Sequence, residues 1–502
     1  MTKMAVFRFL LLPVGLTLIL SIFIDNGKKS SNQPSPLPQT LPNKKGVEQK
    51  PVPENKNFIT EDINFPKNFF FGSAYSDFQT VGISEASDWH EYIQNMKPPQ
   101  VGPGIANDLF NRYQEDFDLA EKIGLQVHRI SLDWARIEPE EGKYDMAVVK
   151  KWKDIFRYMQ SKGVQPMICL NHFPHPKWFA DKGGWENPES PKIYSEYAKF
   201  LAINIGVPLK IKWWLTFNEP QFVISIPYGK GGWPPFKSVE NLTDVSGTER
   251  LMKVTSNVMD GHRLAYRTIH LVLDKRMTGK NKAMVGFASA PGSFYPNDAN
   301  SRLDQFAGNI FNTIHTLVFD SFIGNADRDF IGLNYYGRTR LKMHISLWKN
   351  VLPWLNEEKP FAIEWVNEGA NRPNTRPKEF YPRALYDTIM KFKNMNKPII
   401  ITANGLDDDA DKFREEFLII HLKAIHDAIR DGADVIGYQY WALTDTWEPG
   451  DANFSHMGLI RIDREKDTLN RSLRPSAETY AEIIKTKKIT KELLQKHKEL
   501  LP

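Results

Sequence analysis

The run 213-WWLTFNEP-220 ends on Glu219, a carboxylic acid set close to Trp213, Trp214 and Phe217. Partial desolvation raises the pKa of a carboxylic acid, which suits a group that must donate a proton and later take one back. Asn218 beside it offers an amide for a substrate hydroxyl. Taken alone, the pair fits equally well an exposed loop ahead of a helix-starting Pro220. Other polar residues fall at the ends of similar apolar runs: Gln79, Arg129, His172, Asn334, Tyr336, and Trp441 with Glu448 just beyond. An indole face stacks on the apolar C–H face of a pyranose, so Trp441 in this company suits a sugar. One further run, 398-PIIITANG-405, delivers Ala403, which has no functional group.

Eight short β-rich runs hold these residues: 69-FFFGSAYS, 128-HRISLDW, 165-QPMICLNHF, 213-WWLTFNE, 283-AMVGFASA, 329-DFIGLNYY, 398-PIIITANG and 435-VIGYQYWAL. Most are almost continuously apolar, the pattern of parallel strands covered on both faces. Helical periodicity fills the intervals. In 412-KFREEFLIIHLKAIHDAIRDG, Phe413, Phe417 and Ile420 recur at three- and four-residue steps, with Asp411 as the expected N-cap and Gly432 as the stop. Eight such units predict an α/β fold, a (β/α)8 TIM barrel with long inserted loops, whose strand C-termini carry the chemistry. A doubly wound open sheet is the alternative, but no G-x-G-x-x-G follows an early strand.

Residues 1–57 hold eight Lys/Arg against three acids, so the net charge of +5 lies there and the rest of the chain is balanced. A balanced body lacks the basic face that nucleic acid requires. Lys3 and Arg8 precede the uncharged run FLLLPVGLTLILSIFI, Phe9 to Ile24. With its neighbours this run nears the roughly 20 residues of a bilayer span. Its Ser-Ile-Phe-Ile-Asp end is a poor cleavage site. Residues 1–24 are therefore expected to anchor the protein in a membrane, with a cleaved signal and secretion as the alternative. Residues 25–57, rich in Pro, Ser, Asn and Lys, read as a disordered linker. Residues 58–484 form the expected barrel. The basic stretch 485–502 reads as a helical tail, either lying on anionic lipid or simply solvated. The single cysteine, Cys169, excludes an intrachain disulfide. His172 and His175 form H-x-x-H, but Phe173-Pro174 between them breaks a metal-binding helix face.

In combination, 65-FPKNFFFGSAYSDFQ, 129-RISLDWARIEP, 171-NHFPHPKWF, 215-LTFNEP, 329-DFIGLNYYG, 379-EFYPRALY, 398-PIIITANG and 437-GYQYWALTDTWEPGD resemble glycoside hydrolase family 1. The resemblance runs from about Phe65 to about Ile484. It implies a retaining β-glycosidase that releases terminal glucose or galactose, with no cofactor and no metal. It implies that Glu219 is the acid/base and that Asn218 contacts the sugar 2-hydroxyl. Gln79, His172 and Glu448 would hold the other hydroxyls, Trp441 would lie under the ring, and Arg129, Asn334 and Tyr336 would surround the nucleophile.

That nucleophile is the glutamate of an I-T-E-N-G motif, and here the position is Ala403. A methyl group neither attacks an anomeric carbon nor stabilises a developing positive charge. Asp407, Asp408 and Asp409 follow, but read as a solvated loop or helix start rather than substitutes. Loss of one group from an otherwise complete set is what a deliberate Glu→Ala replacement leaves; a natural non-catalytic glycoside-binding relative is the other origin. Phe173 and Pro449 stand where the family usually carries tryptophan, which bears on sugar choice. The N-terminal run, 176-PKWFADKGGW, Tyr335-Tyr336-Gly337 and the basic tail resemble the galactolipid galactosyltransferase-like branch. That resemblance implies a glycolipid partner and sugar transfer as an alternative reaction.

Overall fold

The structure, a computed structural model, describes residues 61–240, 244–322, 327–345, 361–366, 381–464 and 468–498. Eight parallel strands close on themselves in chain order. They are β1 (Phe70–Ser76), β2 (Val127–Ser131), β3 (Gln165–Cys169), β4 (Trp213–Asn218), β5 (Met284–Ser289), β6 (Ile331–Asn334), β7 (Ile399–Asn404) and β8 (Val435–Trp441). All eight expected runs are strands of this barrel, and helices occupy the intervals. The open-sheet alternative is excluded, because β8 pairs with β1 from Gly437↔Phe70 to Trp441↔Ala74.

The apolar continuity of the strands has a direct cause. In β7, Ile399 and Ile401 face outward into the large cluster shared with the helices, while Ile400 faces inward. The inward cluster joins Val127, Met167, Cys169, Leu215, Ala288 and Ile400, and it plugs the lower barrel. Period-two alternation then carries Arg129 and Ser131 inward on the same face as Val127.

That alternation is broken in two strands. In β4 the pairing with β5 shifts between Leu215 and Asn218. In β7 the pairing with β6 shifts between Ile401 and Ala403. A shift of one residue exchanges the faces of everything beyond it. Phe217 therefore joins the outer cluster, and Asn218 faces the mouth of the barrel.

The helix expected from 412 spans Arg414–Arg430. Its N-terminus is capped by a different residue from the one expected. Asp408 Oδ2 accepts from the backbone N–H groups of Phe413 (2.6 Å) and Arg414 (3.2 Å). Asp411 instead accepts from Arg414 Nε and from Ser476, tying the helix to the last long helix of the barrel. Gly432 ends the helix as expected, at φ +90°, where a β-carbon is strained.

The segments that lead into and out of the barrel are tied together beneath it. Ile63–Asn64 pairs antiparallel with Lys488–Ile489, and Lys487 Nζ donates to Phe69 O and Gln126 Oε1. Beyond it the helix Lys491–Lys496 buries Leu494, and Lys496 Nζ and His497 Nε2 both meet Glu415.

The expectation of a membrane-anchored or secreted protein is corrected. Among the described residues no helix is long and apolar enough to cross a membrane. The longest, Val245–Leu273, has 29 residues but carries Glu249, Arg250, Lys253, Asp260, Arg263 and Arg267, charges that a bilayer core opposes. The run Phe9 to Ile24 lies outside the described residues.

Candidate active site

At the C-terminal ends of the strands lies a cavity of about 290 Å³. Gln79, Arg129, His172, Asn218, Glu219, Asn334, Tyr336, Trp441 and Glu448 all line it. A continuous hydrogen-bond relay joins five of the strand ends. Ser131 Oγ meets His172 Nδ1 at 2.9 Å, and Asn218 Nδ2 meets His172 Nε2 at 2.9 Å. Asn334 Nδ2 donates to Asn218 Oδ1 (3.0 Å) and to Glu219 Oε1 (2.8 Å). Thr402 Oγ1 donates to Asn334 Oδ1 (2.7 Å), and Arg129 Nη1 donates to Thr402 O (3.2 Å).

The relay sets protonation states. Burial, reinforced by Arg129, holds the His172 imidazole well below its usual pKa, so it is neutral. Asn218 Nδ2 is a donor, so Nε2 is the bare nitrogen and Nδ1–H donates to Ser131.

Glu219 is held by its backbone as well. Its φ is +48°, in the left-handed region, and its N–H donates to Ala288 O at 2.7 Å. Pro220 starts the helix Pro220–Tyr228 with the fixed φ suited to a first helical position. Left-handed backbone is costly for glutamate, and such strain concentrates at functional sites. On the opposite wall, Trp441 Nε1 (3.0 Å) and Thr446 Oγ1 (2.9 Å) both donate to Glu448 Oε1. Gln79 Nε2 donates to Trp447 O at 2.7 Å, and its Oε1 accepts from Ser76 Oγ at 2.6 Å.

The turn that carries Gln79 starts at Asp77, which with Asp133 forms a buried carboxylate pair around the partly buried Arg136. Arg136 Nε donates to Asp77 Oδ1 at 3.0 Å and lies 3.8 Å, through Nη2, from Asp133 Oδ2. One guanidinium serves two carboxylates, and burial pushes both upward, Asp133 to about 7. The native protein therefore keeps a proton that the unfolded chain releases above about pH 4. This contribution favours folding below that pH and is lost as pH rises toward 7. Asp133→Asn keeps the acceptor for Ala135 N–H and removes the titration. Its urea midpoint is expected to fall less between pH 5 and 7 than that of the unsubstituted chain. Parallel pH slopes would refute the assignment.

Ala403 does not itself line the cavity. It is fully buried just behind the wall, packed with Ala74, Trp441, Ala442 and Met457 and against Tyr336. Gly405 follows where strand ends converge: a β-carbon there would lie 1.7 Å from Trp441 O. None of the three acids after it turns toward the cavity. Asp407 accepts from His456 N–H, Asp408 caps the helix, and Asp409 is half-exposed, 3.7 Å from His456 and from Arg474. The two histidines of H-x-x-H diverge, since His175 Nε2 accepts from Trp185 Nε1.

The family model described as Glycosyl hydrolase family 1 matches residues 61–323 and 319–489. The chain belongs to glycosyl hydrolase family 1. It is 26% identical to a β-galactosidase of Pyrococcus woesei, across 86% of this chain and 100% of that protein. It is 28% identical to the galactolipid galactosyltransferase SFR2, chloroplastic, of Arabidopsis thaliana, across 75% of this chain. The match covers only 58% of that longer protein. Among solved structures, a β-glycosidase from Pyrococcus horikoshii superposes with TM-score 0.74 at 29% identity, covering 88% of this chain and 99% of that one.

Within this family 1 chain, sequence reading missed the outer wall of the cavity. Phe222, Ile226 and Trp233 line it together with Phe173, and Gly450 and Asp451 follow Pro449 at the rim. Trp233 lies in the glycine- and proline-rich stretch 228-YGKGGWPP, and an aromatic residue in such a loop is the one signal that could have found this wall. Phe222 and Ile226 sit four apart on the helix after Glu219, a spacing that reads as ordinary core.

Proposed function

We propose that this chain is a retaining β-glycosidase by design that lacks its nucleophile. Its pocket accepts a terminal β-linked glucose or galactose of a glycoside or glycolipid, and Ala403 leaves it hydrolytically inert or nearly so. The observation that carries this reading is the Asn334 amide, which ties Glu219 to a polar relay ending on Thr402, one residue from Ala403. In the proposed roles, Glu219 protonates the leaving oxygen. Asn218 takes the 2-hydroxyl, Gln79, His172 and Glu448 take the others, and Trp441 lies under the ring. Arg129, Asn334 and Tyr336 surround the position of the missing carboxylate.

A pocket of this kind binds an intact substrate without consuming it. Calorimetry with an aryl β-glucoside or β-galactoside is expected to give one-site binding, with the glycoside recovered unchanged. Undetectable binding at millimolar ligand would remove the proposal that this chain is a glycoside binder.

A second reaction, transfer of the sugar to a lipid acceptor, is favoured by two observations. One is the similarity to the galactolipid galactosyltransferase. The other is the apolar outer wall of Phe173, Phe222, Ile226 and Trp233, which suits an apolar acceptor.

A further inference from the structure

Ser131 ends β2 and is buried behind the cavity wall, which it does not line. It pairs with Cys169 of β3 in the barrel register. Its hydroxyl stands between two side chains. His172 Nδ1 lies 2.9 Å away, and the Cys169 thiol is hydrogen-bonded to it as well.

The direction of the hydrogen bonds along this line is fixed from both ends. At one end, Asn334 Nδ2 sits 2.8 Å from Glu219 Oε1, while Asn334 Oδ1 accepts from Thr402. An amide nitrogen only donates, so the Asn218 atom facing it at 3.0 Å is Oδ1. The Asn218 nitrogen is then the atom that meets His172 Nε2. At the other end, the Cys169 thiol donates to Asn171 O at 3.3 Å, and a backbone carbonyl only accepts. The sulfur is left to accept from Ser131, and the Ser131 oxygen is left to accept from His172 Nδ1–H. Every link therefore runs the same way, from Asn334 to Asn171.

Reversal is costly at the imidazole. A proton on Nε2 would face the Asn218 nitrogen, donor against donor. Turning the Asn218 amide to relieve that clash would set its nitrogen against Asn334 Nδ2. His172, Asn218, Asn334 and Ser131 are all buried, and a buried polar group without a partner is destabilising. The direction also decides what a ligand meets. One N–H of Asn218 is committed to His172, and the second N–H is the donor that Asn218 has left for the cavity.

We propose that Ser131 is a positioning residue of the sugar pocket. It holds His172 as the Nδ1–H tautomer and thereby fixes Asn218 as a hydrogen-bond donor toward the ligand. This rests on the reading of the cavity as a glycoside site.

The test compares Ser131→Thr with Ser131→Val in the full chain. The two side chains share one shape, suit a strand equally, and differ in the hydroxyl. Nitrogen NMR of histidine-labelled protein reads the tautomer, with His172→Gln identifying the His172 signals by their loss. Calorimetry with an aryl β-glucoside reads the Kd. The unsubstituted chain and Ser131→Thr are expected to show a protonated Nδ1, a bare Nε2 and similar Kd values. Ser131→Val is expected to lose that signature and to weaken binding roughly tenfold, the scale of one net hydrogen bond. A proton on Nε2 in the unsubstituted chain would overturn the proposal. So would a valine variant that matches the threonine variant in either readout. If the tautomers follow this series while even the unsubstituted chain binds no glycoside, the sugar reading falls and the hydrogen-bond assignment stands.

Discussion

Ala403→Glu is expected to raise kcat/KM on an aryl β-glucoside or β-galactoside by roughly four to six orders of magnitude, the scale on which lone nucleophiles are lost. Retention requires two carboxyl groups roughly 5–5.5 Å apart, one to attack and one to exchange protons. Glu219 supplies only the second. Glutamate at 403 would extend from a β-carbon clustered with Ala74 and Ala442, both small, and with Trp441 and Met457. Its carboxylate would enter the neighbourhood of Arg129, whose Nε and Nη2 have no other partner among the described residues. The new charge would then be neutralised where it is buried. Product analysis separates the two reactions. Free hexose alone from a glycolipid substrate indicates hydrolysis, and sugar appearing on a second lipid indicates transfer. If the substituted protein is inert across a broad panel of glycosides, the glycosidase reading of this chain fails.

Glu219→Gln, placed in the Ala403→Glu background, is expected to cut kcat on an alkyl or lipid glycoside by about 10²–10⁴, the usual contribution of a general acid. An activated nitrophenyl glycoside should lose far less in the glycosylation step, because its leaving oxygen departs without a proton. Glutamine keeps an oxygen for Asn334 Nδ2, so the relay from Thr402 to His172 is preserved. The two substrates therefore report proton transfer rather than collapse of the site. Equal losses in kcat/KM on both, which reports the glycosylation step alone, would show that Glu219 positions the pocket instead of supplying a proton.

Both experiments turn on residues that the linear chain displayed openly, since Glu219 and Ala403 end recognisable apolar runs. Less legible was the support for them. Thr402 and Ser131 act only through partners far away in sequence, Asn334 and His172. Phe222 and Ile226 read as helix core because a three- to four-residue apolar spacing does not say whether a face meets protein or a cavity. Asp411 looked like the helix cap, yet Asp408 takes that place because the loop bends its carboxylate back onto Phe413 and Arg414. The membrane reading rested on hydropathy at residues outside the described part of the chain, and the described helices give it no support.

The eight-stranded barrel, the family and the lack of a carboxylate at 403 were all legible in the linear chain. Strand burial on both faces writes itself into local composition, and a motif is its residues. Which way the strand ends face is set by how the strands pair in the closed barrel. Side chains alternate with period two until a neighbour shifts the pairing, and that shift is a property of two strands distant in the chain. It turns Asn218 to the mouth and sets Ala403 beside Tyr336 and Trp441. The idle edge of Arg129 is likewise a tertiary fact. A guanidinium's lack of partners is visible only when every segment that reaches it is in place.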